Sequence, residues 1–183
     1  MKRLIILDRD GVMNIDTDDY VRRPDEWRPI PGSLEAVAAL TRVGHDIGVA
    51  TNQSGIARGY YDEDTLDAIH DKMHRMIEEA GGHIGFIAYC PHGPDDGCDC
   101  RKPQPGLLLQ IADHFDASLA GVPYVGDKLS DVEAALAAGA RPILVRTGYG
   151  ARTEALLGPE HNVEIFDDLS QFAESWLAQT EID

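Results

Sequence analysis

The stretch Leu4-Ile5-Ile6-Leu7-Asp8-Arg9-Asp10-Gly11 decides the fold of this 183-residue chain. Its first four residues form a continuous run of branched apolar side chains, which predicts a short parallel strand buried on both faces. The run ends abruptly in two carboxylates, Asp8 and Asp10. Polar residues directly after a buried strand indicate that a ligand binds at this end of it.

The rest of the chain alternates further apolar runs with amphipathic segments. Strands are predicted at Ile47–Ala50, Phe86–Tyr89, Pro123–Val125, Pro142–Val145 and Val163–Phe166. Helices are predicted from Ser33, which can cap the first, to Gly44, from Asp64 to Gly81, after Pro105, from about Ser130 to Ala138, and over Leu169–Leu177. This alternation favours an α/β fold: a single Rossmann-like open parallel sheet with helices on both faces.

The spacing of the polar strand ends limits what else the chain can hold. About forty residues separate Asp8 from Thr51, and about fifty separate Thr51 from Lys102, so there is no room for a large cap domain. We expect one domain over residues 1–183, with a small loop that carries the cysteines inserted at residues 90–100.

Composition excludes some classes of partner. Sixteen basic residues stand against 32 acidic ones, a net charge of -16, which disfavours binding to nucleic acid or to an anionic membrane. A small anionic substrate remains compatible, because local cations outweigh distant screened acids. No apolar stretch approaches the ~18 residues of a membrane helix, and the run Leu4–Leu7 is too short for a signal peptide. We expect a cytoplasmic monomer.

Four polar sites follow predicted strands: Asp8, Thr51, Cys90 and Asp127. Carboxyl ends of parallel strands meet at one edge of a sheet, so these sites are expected to converge on a candidate active site. A lone Asp-x-Asp pair is more often a solvated strand end. Three further elements favour an active site here instead: the hydroxyl and amide of Thr51-Asn52, the cations of Arg101-Lys102 and a second acidic cluster at Asp127. Phosphoryl transfer needs donors, cations and carboxylates of these kinds in one place.

The three cysteines fall within eleven residues and share the segment with one histidine. Three thiolates and an imidazole suit a tetrahedral structural zinc ion. The alternative is a reduced surface loop, and a disulfide between Cys98 and Cys100 would be strained. Zinc would stiffen the loop that delivers Arg101 and Lys102. The predicted ligands are Cys90, His92, Cys98 and Cys100.

Three motifs together are specific: Asp8-Arg9-Asp10-Gly11, the run Thr51–Gly59 (TNQSGIARG) and the run Cys98–Pro103 (CDCRKP), followed by Gly126-Asp127-Lys128 with Asp131. Across essentially the whole chain this order resembles the haloacid dehalogenase superfamily of phosphohydrolases. Within that superfamily it is most similar to the branch of heptose bisphosphate phosphatases and histidinol phosphatases.

The resemblance implies a magnesium-dependent phosphatase, a hydrolase of phosphoric monoesters. Asp8 would form an aspartyl-phosphate, Asp10 would donate and then accept a proton, and Thr51 with Lys102 would hold the transferring group. Magnesium would bind the Asp8 carboxylate, the Asp10 main-chain carbonyl and Asp127, with Asp131 supporting that shell. Substrate contacts are expected from Arg9, Asp16, Tyr20, Asn52, Gln53, Ser54, Arg101 and Lys128.

The expected substrate is D-glycero-D-manno-heptose 1,7-bisphosphate, in the carbohydrate metabolism that supplies cell-surface sugars. Histidinol phosphate is the alternative within the same branch. A phospho-accepting receiver module and a zinc-stabilised binding module are alternatives from other classes. Of the remaining residues, Gly148-Tyr149-Gly150 is predicted to be a turn. Surface or capping positions suffice for His45, His70, His74, His83, His114 and His161.

Overall fold

A computed structural model of the chain describes residues 4–180, so the predicted domain, residues 1–183, extends three residues beyond it at each end. Within the described residues, six parallel strands form one sheet in the order β3-β2-β1-β4-β5-β6. The strands are β1 (Leu4–Leu7), β2 (Asp46–Asn52), β3 (Phe86–Cys90), β4 (Pro123–Gly126), β5 (Arg141–Val145) and β6 (Glu164–Phe166).

Helices connect the strands as the alternation predicted. They are α1 (Ser33–Arg42), α2 (Glu63–Glu79), α3 (Gly106–Phe115), α4 (Leu129–Ala138), α5 (Gly150–Glu154) and α6 (Leu169–Thr180), with 3-10 turns at Pro24–Glu26 and Pro159–His161. No helix among residues 4–180 is long and apolar enough to span a membrane.

Side chains of β1 alternate between two apolar layers, as the period of two in a strand requires. Ile5 and Leu7 pack with α1, α2 and α6, whereas Leu4 and Ile6 pack with α3 and α4. Both faces of the sheet are therefore covered. This confirms the predicted fold class, an open parallel sheet with helices on both faces.

The strand order locates the site. β1 lies at the centre, paired with β2 on one side and with β4 on the other. The chain leaves β1 in one direction for β2 and β3 and in the other for β4 to β6, and ligands of open α/β sheets bind at such a reversal, beyond the carboxyl ends of the strands. Among the described residues, the connections 8–32 and 53–62 contain no α-helix and no strand.

Several local predictions are wrong in detail. Ser33 does not cap α1: it is the first helical residue, Gly32 with a φ of 85° precedes it, and the Ser33 hydroxyl donates to the Met13 carbonyl at 2.6 Å. Thr51 and Cys90 do not follow their strands but lie within them, because the ladder between β2 and β3 runs on as far as the pair Asn52 and Cys90. The short helix α5 was not predicted.

Candidate active site

A cavity of about 690 Å³ opens where β1, β2 and β4 end. All four predicted catalytic residues line it, and so do the predicted substrate contacts except Arg9. These lining residues are Asp8, Asp10, Thr51, Lys102, Asp16, Tyr20, Asn52, Gln53, Ser54, Arg101 and Lys128. Of the four strand ends expected to converge, Asp8 and Thr51 line the cavity and Asp127 lies beside Asp8. Cys90 is not a lining residue, although Cys98 from the same cluster is.

Asp8, the predicted nucleophile, is fixed through one carboxylate oxygen. Its Oδ1 accepts from the backbone N–H of Arg9 at 2.7 Å and from the Lys102 ammonium at 3.0 Å. Both bonds end on Oδ1, so Oδ2 has no hydrogen bond within residues 4–180. Burial raises the pKa of Asp8 well above its usual range, and the nearby carboxylate of Asp131 adds to the rise.

Lys102 reaches into the sheet from the loop after β3. Its ammonium contacts Asp8 Oδ1, the Ala50 carbonyl at 3.0 Å, the Tyr124 hydroxyl at 2.8 Å and Asp131 Oδ1 at 2.7 Å. Burial lowers the pKa of Lys102, but Asp131 and Asp8 more than offset this and the net pKa is raised. The ammonium therefore stays charged at the floor of the cavity.

Tyr124 is a functional residue that the sequence reasoning missed. Its hydroxyl accepts from Lys102 and donates to Asp131 Oδ1 at 2.9 Å, although the residue lies in the middle of the buried strand β4. A tyrosine in an otherwise apolar central strand was the available signal, because a buried phenol needs a partner.

The second acidic cluster consists of Asp127 and Asp131. Carboxylate oxygens of Asp8, Asp127 and Asp131 all lie within 4.8 Å of one another. Burial raises the pKa of Asp127 to about 6, against the opposing effect of the Lys128 ammonium. Asp131 is occupied differently, since its Oδ2 accepts from the backbone N–H groups of Asp127 and Lys128 at 3.1 and 3.0 Å.

Two glycines let backbone approach Asp127. A Cβ on Gly11 or Gly148 would lie 2.2 or 2.3 Å from Asp127 Oδ2, and both have positive φ values, 84° and 59°. The adjacent N–H of Tyr149 donates to the same oxygen at 2.8 Å. Gly148 and Tyr149 thus lie in a turn, as predicted, whereas Gly150 begins α5. Gly148 and Tyr149 also form one wall of the carboxylate cluster, which the sequence did not indicate.

Asp10, the predicted acid and base, is held from its buried side. Arg9 donates from Nε and Nη2 to Oδ1 at 3.1 and 2.9 Å, and Asn14 donates to the same oxygen at 2.9 Å. Burial alone raises the pKa of Asp10, but Arg9 and Asn14 lower it below its usual range. Arg9 was also expected to contact substrate, but its side chain is fully buried behind Asp10 and is not part of the cavity wall.

Gln53 connects Asp10 to Thr51. Its Nε2 donates to Asp10 Oδ2 at 3.0 Å and to Thr51 Oγ1 at 2.9 Å, and its Oε1 accepts from the Tyr61 hydroxyl at 2.5 Å. Burial raises the pKa of Tyr61 to about 12, so the phenol keeps its proton and remains the donor. Because Thr51 Oγ1 accepts from Gln53, its own hydroxyl proton is available to the cavity.

Asn52 was expected to contact substrate, but its side chain is bound to the backbone of Lys102. Nδ2 donates to the Lys102 carbonyl at 3.2 Å, and Oδ1 accepts from the Lys102 N–H at 3.1 Å. The amide therefore joins the end of β2 to the loop that carries Lys102.

The cavity rim carries the remaining predicted contacts. Lys128 bonds Asp16 Oδ2 at 2.9 Å and contacts both oxygens of Asp127 at 3.3 and 3.4 Å. Tyr20 has a φ of 65° and meets the Tyr60 ring edge-on, with centroids 5.3 Å apart. Ser54 and Arg101 lie on the cavity wall, and Arg101 Nη1 donates to the His92 carbonyl at 3.4 Å.

The four predicted zinc ligands lie together. The Cys90 and Cys98 sulfurs are 3.7 Å apart, those of Cys90 and Cys100 are 3.2 Å apart, and His92 Nδ1 lies 3.5 and 3.3 Å from the Cys90 and Cys100 sulfurs. A tetrahedral zinc ion with bonds of ~2.3 Å needs thiolates ~3.8 Å apart. The donor set fits zinc and all four ligand atoms lie within 4.8 Å of one another, but the Cys90 and Cys100 sulfurs must move apart when an ion binds. Burial raises the pKa of Cys100 to about 12, so binding an ion here must release protons.

The prediction that the histidines occupy surface or capping positions is wrong for two of them. His45 and His70 are buried, and His70 Nε2 lies 3.2 Å from Arg9 Nη1. The prediction fits His161, whose Nδ1 accepts from the Gly158 N–H at 2.9 Å. The spacing of His70 with Leu66, Ile69 and Met73 on one helix face was a signal for burial.

Comparisons with known proteins agree with this geometry. A HAD-hydrolase-like family model matches residues 99–172. The chain is 54% identical over 176 residues to the D-glycero-beta-D-manno-heptose-1,7-bisphosphate 7-phosphatase of Pseudomonas aeruginosa, covering 96% of this chain and 98% of that one. It is 56% identical over 171 residues to the Pseudomonas putida enzyme of the same name, covering 93% and 97%.

A solved structure is similarly close. The crystal structure of D,D-heptose 1,7-bisphosphate phosphatase from B. bronchiseptica, complexed with magnesium and phosphate, matches with a TM-score of 0.94 and 54% identity. The match covers 97% of this chain and 99% of that chain. The fold of this chain therefore agrees with that of the solved structure over nearly all of its length.

Proposed function

The chain belongs to the family of the D-glycero-beta-D-manno-heptose-1,7-bisphosphate 7-phosphatases, and from that membership we propose that it hydrolyses the 7-phosphate of this heptose bisphosphate. It does so with magnesium through an aspartyl-phosphate. We also propose that residues 1–183 form one domain, working as a monomer in the cytoplasm.

One observation carries the proposal. The Lys102 ammonium lies 3.0 Å from Asp8 at the floor of the cavity, beside a cluster of three carboxylates. Phosphoryl transfer requires a nucleophile, fixed positive charge for the equatorial oxygens and a metal site in one place.

In the first step Asp8 Oδ2 attacks phosphorus, because Oδ1 is engaged by Lys102 and the Arg9 N–H. The new bond joins Oδ2 to phosphorus, and the bond from phosphorus to the sugar oxygen breaks. Arg9 and Asn14 keep Asp10 ionised in the free site, so Asp10 takes up a proton when the anionic substrate binds beside it, and it gives that proton to the departing sugar oxygen. Lys102 and the Thr51 hydroxyl hold the oxygens of the transferring group.

In the second step a water molecule attacks the phosphorus of the aspartyl-phosphate. Asp10, now a carboxylate, takes the proton of that water, and the bond between Asp8 and phosphorus breaks. Inorganic phosphate leaves, and both carboxyl groups return to their starting state. The donors on Asp10, above all Arg9, stabilise the carboxylate form that this second step needs.

The residues present fit magnesium. Lys102 supplies one positive charge to two buried carboxylates, Asp8 and Asp131. The pKa values of Asp8 and Asp127 are raised, which indicates that the cluster can accept further positive charge from a cation. Asp8, the Asp10 carbonyl and Asp127 would hold the ion, a hard cation that prefers oxygen ligands. When bound, it supplies charge stabilisation to the transferring phosphoryl group.

The second phosphate of the substrate needs cations away from Lys102. Arg101 lies on the cavity wall, and we assign it this role. Lys128 is bonded to Asp16 and contacts Asp127 of the carboxylate cluster, so any contact it makes to substrate is at the reacting end of the cavity. The alternative substrate, histidinol phosphate, carries an amine and an imidazole that would seek free acidic groups. Asp16 is paired with Lys128 and Asp18 Oδ1 accepts from the Tyr149 hydroxyl, so these acids already have partners.

The test is a comparison of kcat/KM on the heptose bisphosphate and on histidinol phosphate, with the position of cleavage read by phosphorus NMR. We expect the heptose bisphosphate to be preferred by about tenfold or more, a difference of about 1.4 kcal/mol in transition-state stabilisation, with cleavage at carbon 7. A higher value for histidinol phosphate would reassign the substrate. Loss of preference in Arg101→Ala, but not in the exposed Arg75→Ala control, would support the role given to Arg101.

A further inference from the structure

The buried side of Asp10 contains a histidine that the proposed chemistry does not use. His70 lies on α2, about 7% exposed, and it is not part of the cavity wall. Its Nε2 is 3.2 Å from Arg9 Nη1. Arg9 in turn bonds Asp10 from its Nε and its other terminal nitrogen. A continuous contact therefore runs from α2 through Arg9 to the predicted acid and base.

The chemistry of this contact fixes the state of the ring. A guanidinium can only donate, so Nε2 of His70 must accept and the imidazole is neutral, with its proton on Nδ1. Burial lowers the pKa of His70 to about 3, and the charge of Arg9 lowers it in the same direction. The ring is a permanent acceptor at neutral pH.

The guanidinium is held at two ends. Asp10 fixes Nε and Nη2, and His70 fixes Nη1, which has no other hydrogen bond within residues 4–180. A planar fork held at both ends cannot rotate. Without the acceptor at residue 70, Nη1 would be a buried donor lacking a partner, and the guanidinium would turn to find one at the expense of its bonds to Asp10.

We propose that His70 is a positioning residue for proton transfer by Asp10, acting through Arg9. The inference rests on the role given to Asp10 under the proposed function. It differs from a purely structural role because it demands an acceptor, not merely a side chain of suitable volume. It also demands an effect on the steps in which Asp10 moves a proton, and release of the leaving group reports on the first of these.

The experiment compares two leaving groups under single-turnover conditions. A sugar alkoxide needs a proton from Asp10 in order to leave, whereas p-nitrophenolate leaves without one. Release of each is followed with enzyme in excess in the wild type, His70→Leu and His70→Gln. His74→Leu is the matched control, since His74 lies one turn further along α2. The ratio of the two rates in one preparation is independent of the folded fraction.

We expect His70→Leu to slow cleavage of the heptose bisphosphate by about tenfold to 100-fold and release of p-nitrophenolate by less than about threefold. Substrate KM should change little, because His70 lies off the cavity wall. His70→Gln, which keeps an acceptor at the same distance along the side chain, should recover most of the lost rate. His74→Leu should leave the ratio at its wild-type value.

An unchanged ratio in His70→Leu would overturn the inference, as would a His70→Gln variant that behaves like His70→Leu. Failure of the proposed function gives a different pattern. If Asp10→Asn does not change the ratio, Asp10 is not the acid. If the wild type ignores the heptose bisphosphate, the same ratio is measured with any alkyl phosphate that it does cleave.

Discussion

The carboxylate cluster and the thiolate cluster are two regions of one site built in opposite ways. Asp8 follows β1, Asp127 follows β4, and Asp131 lies in the first turn of α4. Asp8 is more than a hundred residues from the other two along the chain, and the fold brings the three together. The four zinc ligands come from eleven neighbouring residues, 90–100: Cys90 ends β3, and the other three lie in the loop that follows it. Their side chains contact one another.

The two clusters differ in which groups orient their side chains, and this difference indicates that one is reactive and the other structural. The carboxylates are oriented by protein groups, namely the Lys102 ammonium, the Tyr124 hydroxyl and backbone N–H groups. Burial raises the pKa of Cys90 and Cys100, whereas hydrogen bonds from backbone N–H groups outweigh burial at Cys98 and lower its pKa to about 7. Within residues 4–180 no side-chain cation is bonded to the thiols as Lys102 is to the carboxylates, so we expect zinc to order them. The two regions meet at Lys102, which follows the last cysteine by two residues and reaches Asp8. The carboxylate cluster carries out the reaction, and the thiolate cluster positions the Lys102 ammonium that the reaction needs.

The largest expected effect is that of Asp8→Asn. An amide cannot form the aspartyl-phosphate, so turnover should fall by about 10⁴-fold or more. Stability should not fall with it. Burial and Asp131 disfavour the Asp8 carboxylate, and Lys102 keeps its contacts to Asp131, Tyr124 and the Ala50 carbonyl. We expect a free energy of unfolding within about 1 kcal/mol of the wild type.

Kinetics and chemical denaturation on the same preparation check this prediction. Retained turnover would remove the covalent mechanism. A large loss of stability would break the contrast between the two clusters, because it would mean that the reactive carboxylate also supports the fold.

Cys98→Ser should show the opposite pattern to Asp8→Asn: a loss of stability accompanied by a smaller loss of activity. Losing one thiolate weakens zinc binding and loosens the loop, so zinc content and Tm fall together. Turnover should decrease by about tenfold to 100-fold, because Lys102 is less well placed while Asp8 is intact. Elemental analysis, thermal unfolding and steady-state kinetics measure the three effects. Cys98→His, which offers a replacement ligand, should restore part of each.

Sequence alone predicted what is contiguous or periodic. The six strands follow from apolar runs, the zinc ligands from eleven neighbouring residues, and the site edge from the rule for parallel strands. The carboxylate at position 8 and the cation at position 102 required the resemblance as well, because nothing local says that their side chains meet.

Sequence failed where the role of a side chain depends on what packs behind it. From the sequence, Tyr124 was predicted only as part of a strand, Gly148 as part of a turn and Arg9 as a cation that contacts substrate. Only the fold brings Tyr124 to Lys102, the Gly148 backbone to Asp127, and His70 against Arg9. Hydrogen-bond partners distant in the chain leave no trace in spacing.

The smallest expected effect tests how the two clusters are joined. The Asn52 amide makes two hydrogen bonds to the Lys102 backbone, tying β2 to the end of the zinc loop. We expect Asn52→Ala alone to lower kcat by about tenfold, because the loop shifts Lys102 relative to Asp8. In the Cys98→Ser background the loop is already loose, so the same change should cost only about twofold. That difference is a coupling free energy of about 1 kcal/mol, within the range found for residues that share one network.

A substrate contact through Asn52, as the sequence first indicated, would instead raise KM by the same factor in both backgrounds. Measuring kcat and KM for the four proteins of the cycle therefore distinguishes an anchor of the loop from a ligand of the sugar.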